Sequence, residues 1–355
     1  MTNPSSLTRE APPPILSSRN TDPLQLKPLS LGNVDVGFPV VQAALSGYSD
    51  WPMRIVARRL GAPYTIHEVV IDQFVLNLKD RTKTKHHLFI SDEEHPVGGQ
   101  LMGSEPDDFV EAAKKLVTFG FDVIDINFGC PVKSAVTGCR GGYHLGQPDT
   151  ALEIIEKVRE AVPDSIPVTL KMRGGIDDSP QSKDQFFTIL EGAYKAGVAS
   201  VTVHSRTVEQ KYIGPSNWDF LREVKSFVGE RTLLGSGDLF TAQACLDMIR
   251  ETGVDGVTVA RGAIGNPWIF QQAKDLSKGR EPILPDLSEQ RRVLQMQFDL
   301  HQEYYAPKAV STMRKFGIKF APLHPRQTEV RNAFAKIKTK ADWDDVLRQW
   351  YLPDK

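Results

Sequence analysis

One cysteine stands where this sequence could do chemistry. Cys130 follows a short β-branched run at 123–126 and lies between Gly129 and Pro131 in the stretch DVIDINFGCPVKSAVTGCRGG, residues 122–142. The run indicates a buried parallel strand, and the glycine and proline end it, so the thiol is predicted on a tight loop at the strand's carboxyl end. Parallel α/β sheets place their active sites at that edge. A lone cysteine can equally be a small buried apolar residue. Whether Cys130 is reactive or structural therefore has to be judged from the residues at the ends of the other strands.

Polar and charged side chains recur at the ends of the other predicted strands. Each has an ordinary structural explanation by itself, such as capping a carbonyl, filling a core position or pairing with a surface carboxylate. Together they supply the amide, the donors and the cation that a flavin ring needs around its polar edge. Glycines after the last two strands would let backbone N–H groups approach a phosphate, with Arg261 beside them. The strand-end residues are Gln100, Asn127, Lys171, Arg173, His204, Ser236, Gly237, Asp238, Arg261 and Gly262.

These residues need a scaffold that brings strand ends together. The chain alternates between predicted strands and predicted helices, as such a scaffold requires. Apolar segments bounded by turn residues predict eight strands, and amphipathic segments between them predict helices. Eight such units in roughly 230 residues favour an α/β fold whose strands close into a (β/α)8 TIM barrel. The alternative is a doubly wound open sheet. It is less favoured because no G-x-G-x-x-G motif follows the first predicted strand of this sequence. The predicted strands are 38–45, 64–70, 96–102, 123–127, 167–172, 200–204, 232–234 and 256–260, and the predicted helices are 51–60, 106–119, 151–162, 185–195, 218–227 and 242–251.

Composition limits the other possibilities. A chain of 355 residues with 40% hydrophobic content can build a barrel and a smaller second domain. The formal net charge is -1, so a polyanion would have to be held by a local basic patch. The three cysteines show neither disulfide nor metal-ligand spacing, which predicts no bound metal and a reducing compartment, the cytoplasm. Residues 1–32 are rich in proline and polar residues, which predicts a disordered leader and no membrane span.

The basic patch lies near the C-terminus. Pro282 and Pro285 mark a linker after a barrel predicted over 33–280, and a small all-helical domain is predicted over 286–352, with Ser288 as its first N-cap. Residues 308–340 include nine basic residues and a single acidic residue, Glu329. This patch is either the solvated face of a helical bundle or a grip on a phosphate backbone. Beside an anion-binding barrel rim the grip is favoured, and such binding should weaken with salt. The residues predicted to make it are Arg314, Lys315, Lys319, Arg326 and Arg331.

Seven motifs occur together and in order. They are QAALSGYSDWPMR, GGQLMG, DINFGCPV, VTLKMR, TVHSRTVEQKYIGP, GSGDL and VARGAIGNPWIF. From about residue 36 to 340 the chain resembles the tRNA-dihydrouridine synthase family. The resemblance implies an FMN-binding TIM barrel followed by a helical tRNA-binding domain, which reduces the 5,6 double bond of particular uridines in tRNA with NADPH or NADH. It implies Cys130 as the proton donor and Asn127 and Arg173 as residues that position the uracil. The FMN contacts that it implies are Ala44, Leu45, Ser46, Gln100, Lys171, His204, Ser236, Gly237, Asp238, Ala260 and Arg261.

The chemistry agrees with this resemblance. Hydride addition to C6 of uracil leaves C5 to be protonated, and a thiol with a reference pKa of about 8.5 is still protonated at neutral pH. Cys139 has no implied role, and a redox pair between it and Cys130 stays open. The sequence departs from the family pattern at three places. Ala43-Ala44-Leu45 replaces Ala-Pro-Met, Ser236-Gly237-Asp238 replaces Asn-Gly-Asp, and Phe316 replaces the histidine of Arg-Lys-His.

Two other functions fit parts of the pattern. An FMN barrel that acts on free pyrimidines, like dihydroorotate or dihydropyrimidine dehydrogenases, would share the barrel rim but would not need the basic helices. A non-catalytic RNA-binding protein could keep the barrel as a scaffold, and it would be colourless. The sequence leaves open which tRNA uridine is reduced, whether NADPH or NADH is preferred, and the oligomeric state, for which a monomer is expected.

Overall fold

The computed structural model describes residues 24–78 and 85–351, and a cylinder of parallel strands forms its centre. Every predicted strand has a counterpart in the structure, although the first is shorter than predicted and the second is divided in two. A short hairpin precedes the cylinder and consists of β1 (Leu29–Leu31) and β2 (Val34–Gly37). The barrel strands are β3 (Val40–Gln42), β4 (Thr65–Ile66), β5 (Val70–Ile71), β6 (Val97–Met102), β7 (Val123–Phe128), β8 (Val168–Arg173), β9 (Ser200–His204), β10 (Leu233–Ser236) and β11 (Gly256–Val259).

The sheet closes on itself. Its strand order is β4-β3-β11-β10-β9-β8-β7-β6-β5, and both β4 and β5 pair with β6, so these two short strands share the second position of the barrel. The sequence predicted one continuous strand over 64–70, but the N–H of Glu68 bonds to the carbonyl of Ser49 at 3.2 Å and interrupts it. All barrel pairings are parallel. The predicted (β/α)8 TIM barrel is therefore confirmed, and the doubly wound sheet was the wrong alternative.

Helices cover the outside of the cylinder. All six residues of β7 are buried, as a parallel strand between a barrel interior and a helical layer requires. Pro148 and Pro180 occupy the first turns of two helices, where a missing N–H costs nothing, and these helices start upstream of the predicted 151 and 185. The helices of the barrel domain are α1 (Trp51–Arg59), α2 (Asp72–Asn77), α3 (Pro106–Thr118), α4 (Lys133–Val136), α5 (Pro148–Ala161), α6 (Pro180–Lys195), α7 (Trp218–Val228), α8 (Ala242–Thr252), α9 (Arg261–Gly265) and α10 (Ile269–Ser277).

The hairpin closes the amino end of the barrel. Alternate residues of β1, Leu29 and Leu31, are buried together with Val36 of β2. They pack in one cluster with residues at the amino ends of barrel strands, including Val123 and Leu234. The prediction of a disordered leader over 1–32 was therefore wrong for its last part, because this apolar layer needs a cover; residues 1–23 lie outside the described residues.

A bundle of helices follows the barrel. A stacked pair, Phe298 and Trp343, has ring centroids 5.0 Å apart and joins its first and last helices. The first helix is capped by Asp286, whose side chain accepts from the N–H of Glu289 at 2.7 Å, so the prediction of Ser288 as the N-cap was wrong. The helices are α11 (Leu287–Tyr305), α12 (Ala309–Phe320), α13 (Gln327–Lys336) and α14 (Lys340–Trp350).

The bundle docks on the barrel through α11 and α12. Phe316 is buried and meets Tyr48 of the barrel edge to face at 5.5 Å, so the position that departs from Arg-Lys-His is a packing position. A Cβ at Gly265 would overlap the carbonyl oxygen of Lys319, which shows how closely α9 and α12 approach. None of the helices in the described ranges is long and apolar enough to cross a bilayer.

Candidate active site

The predicted site residues converge. One cavity at the carboxyl ends of the strands is lined by every residue that the sequence predicted to bind cofactor or uracil, and by Cys130. Its empty volume is about 950 Å³, which includes open solvent at the mouth. The lining comprises Ala44, Leu45, Ser46, Val69, Gln100, Asn127, Gly129, Cys130, Pro131, Val132, Lys171, Arg173, His204, Tyr212, Ser236, Gly237, Asp238, Leu239, Phe240, Thr258, Ala260, Arg261 and Gly262.

Strand register brings these side chains together. The pairing of β7 with β8 sets Asn127 beside Lys171, and that of β8 with β9 sets Arg173 beside His204. The pairing of β9 with β10 then sets His204 beside Ser236. Because successive strands of a barrel present alternate residues to its interior, this register places a ring of polar side chains at the carboxyl rim.

The loop after β7 presents Cys130. Its carbonyl accepts from the N–H of Gly142 at 3.1 Å, and Gly141 has a positive φ of 59°. A Cβ at Gly141 would lie 2.8 Å from that of Cys130, so only glycine permits this close approach of the GCRGG segment. Cys139 is exposed and is not part of the cavity lining, and both thiols are free.

A chain of hydrogen bonds runs beneath the thiol loop. The N–H of Gly129 donates to Asn127 Oδ1 at 2.8 Å, and Asn127 Nδ2 donates to Gln100 Oε1 at 2.7 Å. Gln100 Nε2 donates to Asp125 Oδ2 at 2.6 Å, and Thr169 Oγ1 donates to Asp125 Oδ1 at 2.6 Å. Asp125 is buried, which raises its pKa above the ordinary value.

Lys171 is a cation in the cavity wall. Its ammonium makes no hydrogen bond or ion pair with another residue of the described ranges. Burial and then the neighbouring Arg173 lower the pKa of Lys171 to about 8, against an opposite pull from Asp125. A lysine in this setting favours an acceptor or an anion in the cavity, because such a ligand would restore the interactions that burial removes.

His204 is a neutral imidazole. Burial, followed by the charges of Lys171, Arg173, Arg206 and Arg261, lowers its pKa to about 2. Its Nε2 lies 3.4 Å from a guanidinium nitrogen of Arg206, which can only donate, so the ring proton resides on Nδ1.

Arg173 is held by backbone carbonyls. It donates to the carbonyls of Gly129 at 2.9 Å, Thr207 at 2.9 Å and Lys211 at 2.8 Å. The guanidinium thus ties the thiol loop to the loop that follows β9. Arg173 also lies 5.4 Å from the ring centroid of Tyr212, a half-exposed aromatic residue at the cavity mouth. The sequence predicted that Arg173 positions the uracil, and the structure shows in addition that its guanidinium joins these two loops.

The far end of the cavity is rich in backbone donors. The N–H groups of Gly237 and Asp238 make no hydrogen bond to another described residue. The Asp238 carboxylate accepts from Arg206 at 2.6 Å and faces Arg261 at 3.4 Å, so its own charge is already paired. A Cβ at Gly262 would overlap the carbonyl of Leu239, which makes this approach of two loops specific to glycine. The Arg261 guanidinium remains partly exposed there.

Sequence reasoning missed several functional neighbours. Asp125 was interpreted only as a flank of the apolar run, although its two-residue spacing from Asn127 places both on the interior face. Arg206 and Tyr212 lie in the motif TVHSRTVEQKYIGP, and their contacts could not be deduced from spacing. Thr258 lines the cavity with a buried hydroxyl that has no hydrogen-bond partner among the described residues.

The predicted cations of the helical domain divide into two groups. Arg314, Lys319, Arg326 and Arg331 are exposed. Lys315 instead donates to the carbonyl of Gly47 and lies 4.8 Å from the ring centroid of Tyr48. Its ammonium therefore belongs to the junction between barrel and bundle, beside the loop that carries Ser46. No group of three or more potential metal ligands occurs in the described part of the chain.

Comparison with known proteins decides the family. The model of the family described as Dihydrouridine synthase (Dus) matches residues 41–352. The chain belongs to the dihydrouridine synthase family. A probable tRNA-dihydrouridine synthase of Rickettsia prowazekii is 32% identical to this Dus-family chain over 326 residues, covering 91% of this chain and 98% of the relative. The tRNA-dihydrouridine synthase B of Xanthomonas campestris pv. campestris is 31% identical over 313 residues, covering 88% and 92%.

Solved structures agree on the fold of this Dus-family chain. Morphinone reductase in complex with tetrahydroNAD matches with a TM-score of 0.53 and 13% identity, over 74% of this chain and 93% of that one. Histamine dehydrogenase from Rhizobium sp. 4-9 matches with a TM-score of 0.55 and 16% identity, over 79% of this chain and 51% of the longer protein. At these identities the likeness concerns the fold alone.

Proposed function

We propose that this protein is an FMN-dependent tRNA-dihydrouridine synthase, which reduces the 5,6 double bond of specific uridines in tRNA with NADPH. The observation that carries the proposal is the convergence of all predicted cofactor and substrate residues on one cavity beside Cys130. Support comes also from family membership and from relatives named tRNA-dihydrouridine synthase.

The cavity fits FMN in three respects. Lys171 offers a cation that has no acceptor within residues 24–78 and 85–351, and Gln100 and the Thr258 hydroxyl offer further polar contacts. The backbone donors at Gly237 and Asp238 and the guanidinium of Arg261 would hold the phosphate. Ala44, Leu45, Ser46, His204, Ser236 and Ala260 would complete the binding site. When bound, FMN would supply the hydride that is added to C6 of the uracil.

Cys130 would then act as the general acid. Its S–H bond breaks as a C–H bond forms at C5, and the thiolate regains a proton from solvent. The uracil thereby gains two electrons and two protons, and NADPH is the source of the electrons. Asn127 would contact the uracil, and Arg173 would hold the two loops that border it, in keeping with its three carbonyl partners.

The helical domain would bind the tRNA. Arg314, Lys319, Arg326 and Arg331 are exposed, whereas Lys315 is engaged with the barrel, so we assign the phosphate contacts to the first four. The target uridine has to leave the stacked bases of the tRNA to enter the cavity, as enzymes acting on a base require. We expect a monomer in the cytoplasm that needs no metal ion.

The test is reduction of tRNA lacking dihydrouridine. The purified protein should be yellow and should release FMN on denaturation. With NADPH it should form dihydrouridine, detected by mass spectrometry of the digested tRNA, and NADH in place of NADPH gives the nicotinamide preference. Deletion of the gene in its host would then reveal the uridine positions that it reduces.

Controls separate this proposal from its alternatives. Turnover of free uracil that is insensitive to salt would favour an enzyme acting on free pyrimidines. A colourless protein that binds tRNA, and whose function persists in Cys130→Ala, would favour the non-catalytic alternative. Either result overturns the proposal.

A further inference from the structure

The hydrogen-bond chain from Asp125 to Gly129 has a direction. Both oxygens of Asp125 accept a hydrogen bond, Oδ2 from the Gln100 NH2 and Oδ1 from the Thr169 hydroxyl, which is the pattern of a carboxylate that only accepts. This leaves Gln100 Oε1 facing Asn127, which must in turn present its own NH2. Asn127 Oδ1 is then free to accept from Gly129, the residue before Cys130. One buried charge thus sets the orientation of two amides that could otherwise flip.

The direction decides what Gln100 can offer to a ligand. Its NH2 has one hydrogen left after the bond to Asp125, and its oxygen has one lone pair left after the bond from Asn127. One donor and one acceptor in a fixed order match an edge made of a carbonyl beside an N–H, the kind of edge that both a flavin and a uracil carry. If the Gln100 amide were reversed, its NH2 would face the NH2 of Asn127 and its oxygen would face the Asp125 carboxylate.

We propose that Asp125 is a positioning residue, which fixes the Gln100 amide for the polar edge of the cofactor and fixes the Asn127 amide under the loop of Cys130. The proposal rests on the proposed function, because it takes the cofactor to be FMN. Asp125 itself touches neither ligand, since it is buried below the cavity and does not line it. Its second oxygen is occupied by Thr169, so the carboxylate has no further task in this network.

An exchange of the residues at positions 125 and 127, which leaves the amino-acid composition unchanged, tests the direction of this hydrogen-bond chain. In the double variant Asp125→Asn/Asn127→Asp the charge moves to the other end of the chain, so Gln100 must turn its NH2 toward position 127 and its oxygen toward position 125. The number of hydrogen bonds is unchanged, and we expect a melting temperature close to that of the wild type. FMN affinity, measured by quenching of flavin fluorescence, should fall by about tenfold, the scale of one misplaced hydrogen bond. Wild-type affinity in a folded swap variant would overturn the proposal.

A double-mutant cycle provides the second measurement and replaces the swap if that variant does not fold. Asp125→Asn and Gln100→Leu should each weaken FMN binding, and the double variant should be no worse than Gln100→Leu alone, because Asp125 acts through Gln100. Additive losses would show that Asp125 acts by another route and would overturn the proposal.

Thr169→Val is the matched control. It removes the other hydrogen bond of the same carboxylate but leaves the one to Gln100, so it should lower stability while FMN affinity stays within about twofold. An equal loss of FMN affinity in Thr169→Val would assign the effect to general loosening of the barrel interior. Failure of the wild type to bind FMN would instead count against the proposed function.

Discussion

His301 Nε2 lies 3.0 Å from Asp50 Oδ2, across the junction between the helical bundle and the barrel. Both side chains are buried, and the other carboxylate oxygen of Asp50 accepts from the N–H of Met53 at the start of α1. One carboxylate therefore caps a barrel helix and binds the second domain. Burial alone would raise the pKa of Asp50, but His301, the Met53 N–H and Lys315 outweigh it and lower the pKa below its ordinary value.

We first predict an acid-labile domain junction. Because the folded-state pKa of Asp50 is below its unfolded value, the stabilisation is present above about pH 4 and is lost as the pH falls through the folded pKa. Asp50→Asn, which keeps an N-capping side chain, should cost about 1–3 kcal/mol at pH 7 and less at pH 3, measured by urea unfolding. Equal losses at both pH values would contradict this assignment.

The second prediction concerns the thiol. Cys130→Ala should lower the rate of uridine reduction by about 10²- to 10⁴-fold, the range for loss of a positioned general acid, with FMN affinity unchanged. Cys139→Ala is the matched control, since that thiol is exposed and is not part of the cavity lining. A comparable loss of rate in Cys139→Ala would show that the loop, rather than a single thiol, is required.

The third prediction is a pH dependence of cofactor binding. Lys171 has a pKa of about 8 in the protein without ligand, so it carries a charge below that pH and loses it above. An anionic flavin nucleotide should therefore bind more weakly as the pH rises from 7 to 9. Lys171→Met should weaken binding by about 10- to 100-fold at pH 7 and should remove most of this dependence. A pH profile that persists in Lys171→Met would assign it to another group.

The fourth prediction separates two neighbouring cations. Arg314→Met should weaken tRNA binding and reduce the slope of log affinity against log salt by about 1, with no effect on FMN. Lys315→Met should instead weaken FMN binding, because Lys315 holds the carbonyl of Gly47 beside the cavity loop. Its salt slope should stay near that of the wild type. The reverse pattern would return Lys315 to the phosphate contacts that the sequence predicted.

The fifth prediction concerns domain docking. Gly265→Ala should force α9 and α12 apart, because its Cβ would overlap the Lys319 carbonyl. Faster proteolysis in the 278–286 linker and weaker tRNA binding should follow, with the flavin still bound. Gly146→Ala, whose Cβ would meet Ile176 at an ordinary 3.4 Å, is the control. Unchanged proteolysis in Gly265→Ala would show that the junction tolerates the shift.

The barrel could be predicted from sequence because its strands are short apolar runs with clear ends. The β7 strand is typical: five of its six residues were predicted, and Gly129 and Pro131 mark where it stops. The hairpin was missed because the prolines of the leader dominate its composition, while the informative alternation of Leu29 and Leu31 is only three residues long.

The convergence of the strand-end residues on one cavity was predictable, but the hydrogen-bond and ion-pair partners of the charged groups were not. Strand ends share one rim of a barrel, so residue type and position were enough to bring Lys171 and His204 together. Whether a cation faces solvent, a carbonyl or a ligand depends on loops from distant parts of the chain. Arg173 and Lys315 are the examples, since backbone carbonyls hold both.

The hairpin at the amino end gives the barrel a floor. Leu29, Leu31 and Val36 shield the lowest interior layer, above which the Asp125 carboxylate lies. A chain shortened to begin at residue 39 would leave a tube open at both ends, and water entering from below would hydrate that carboxylate. Damage to flavin binding would then arise on the side of the molecule opposite the cavity.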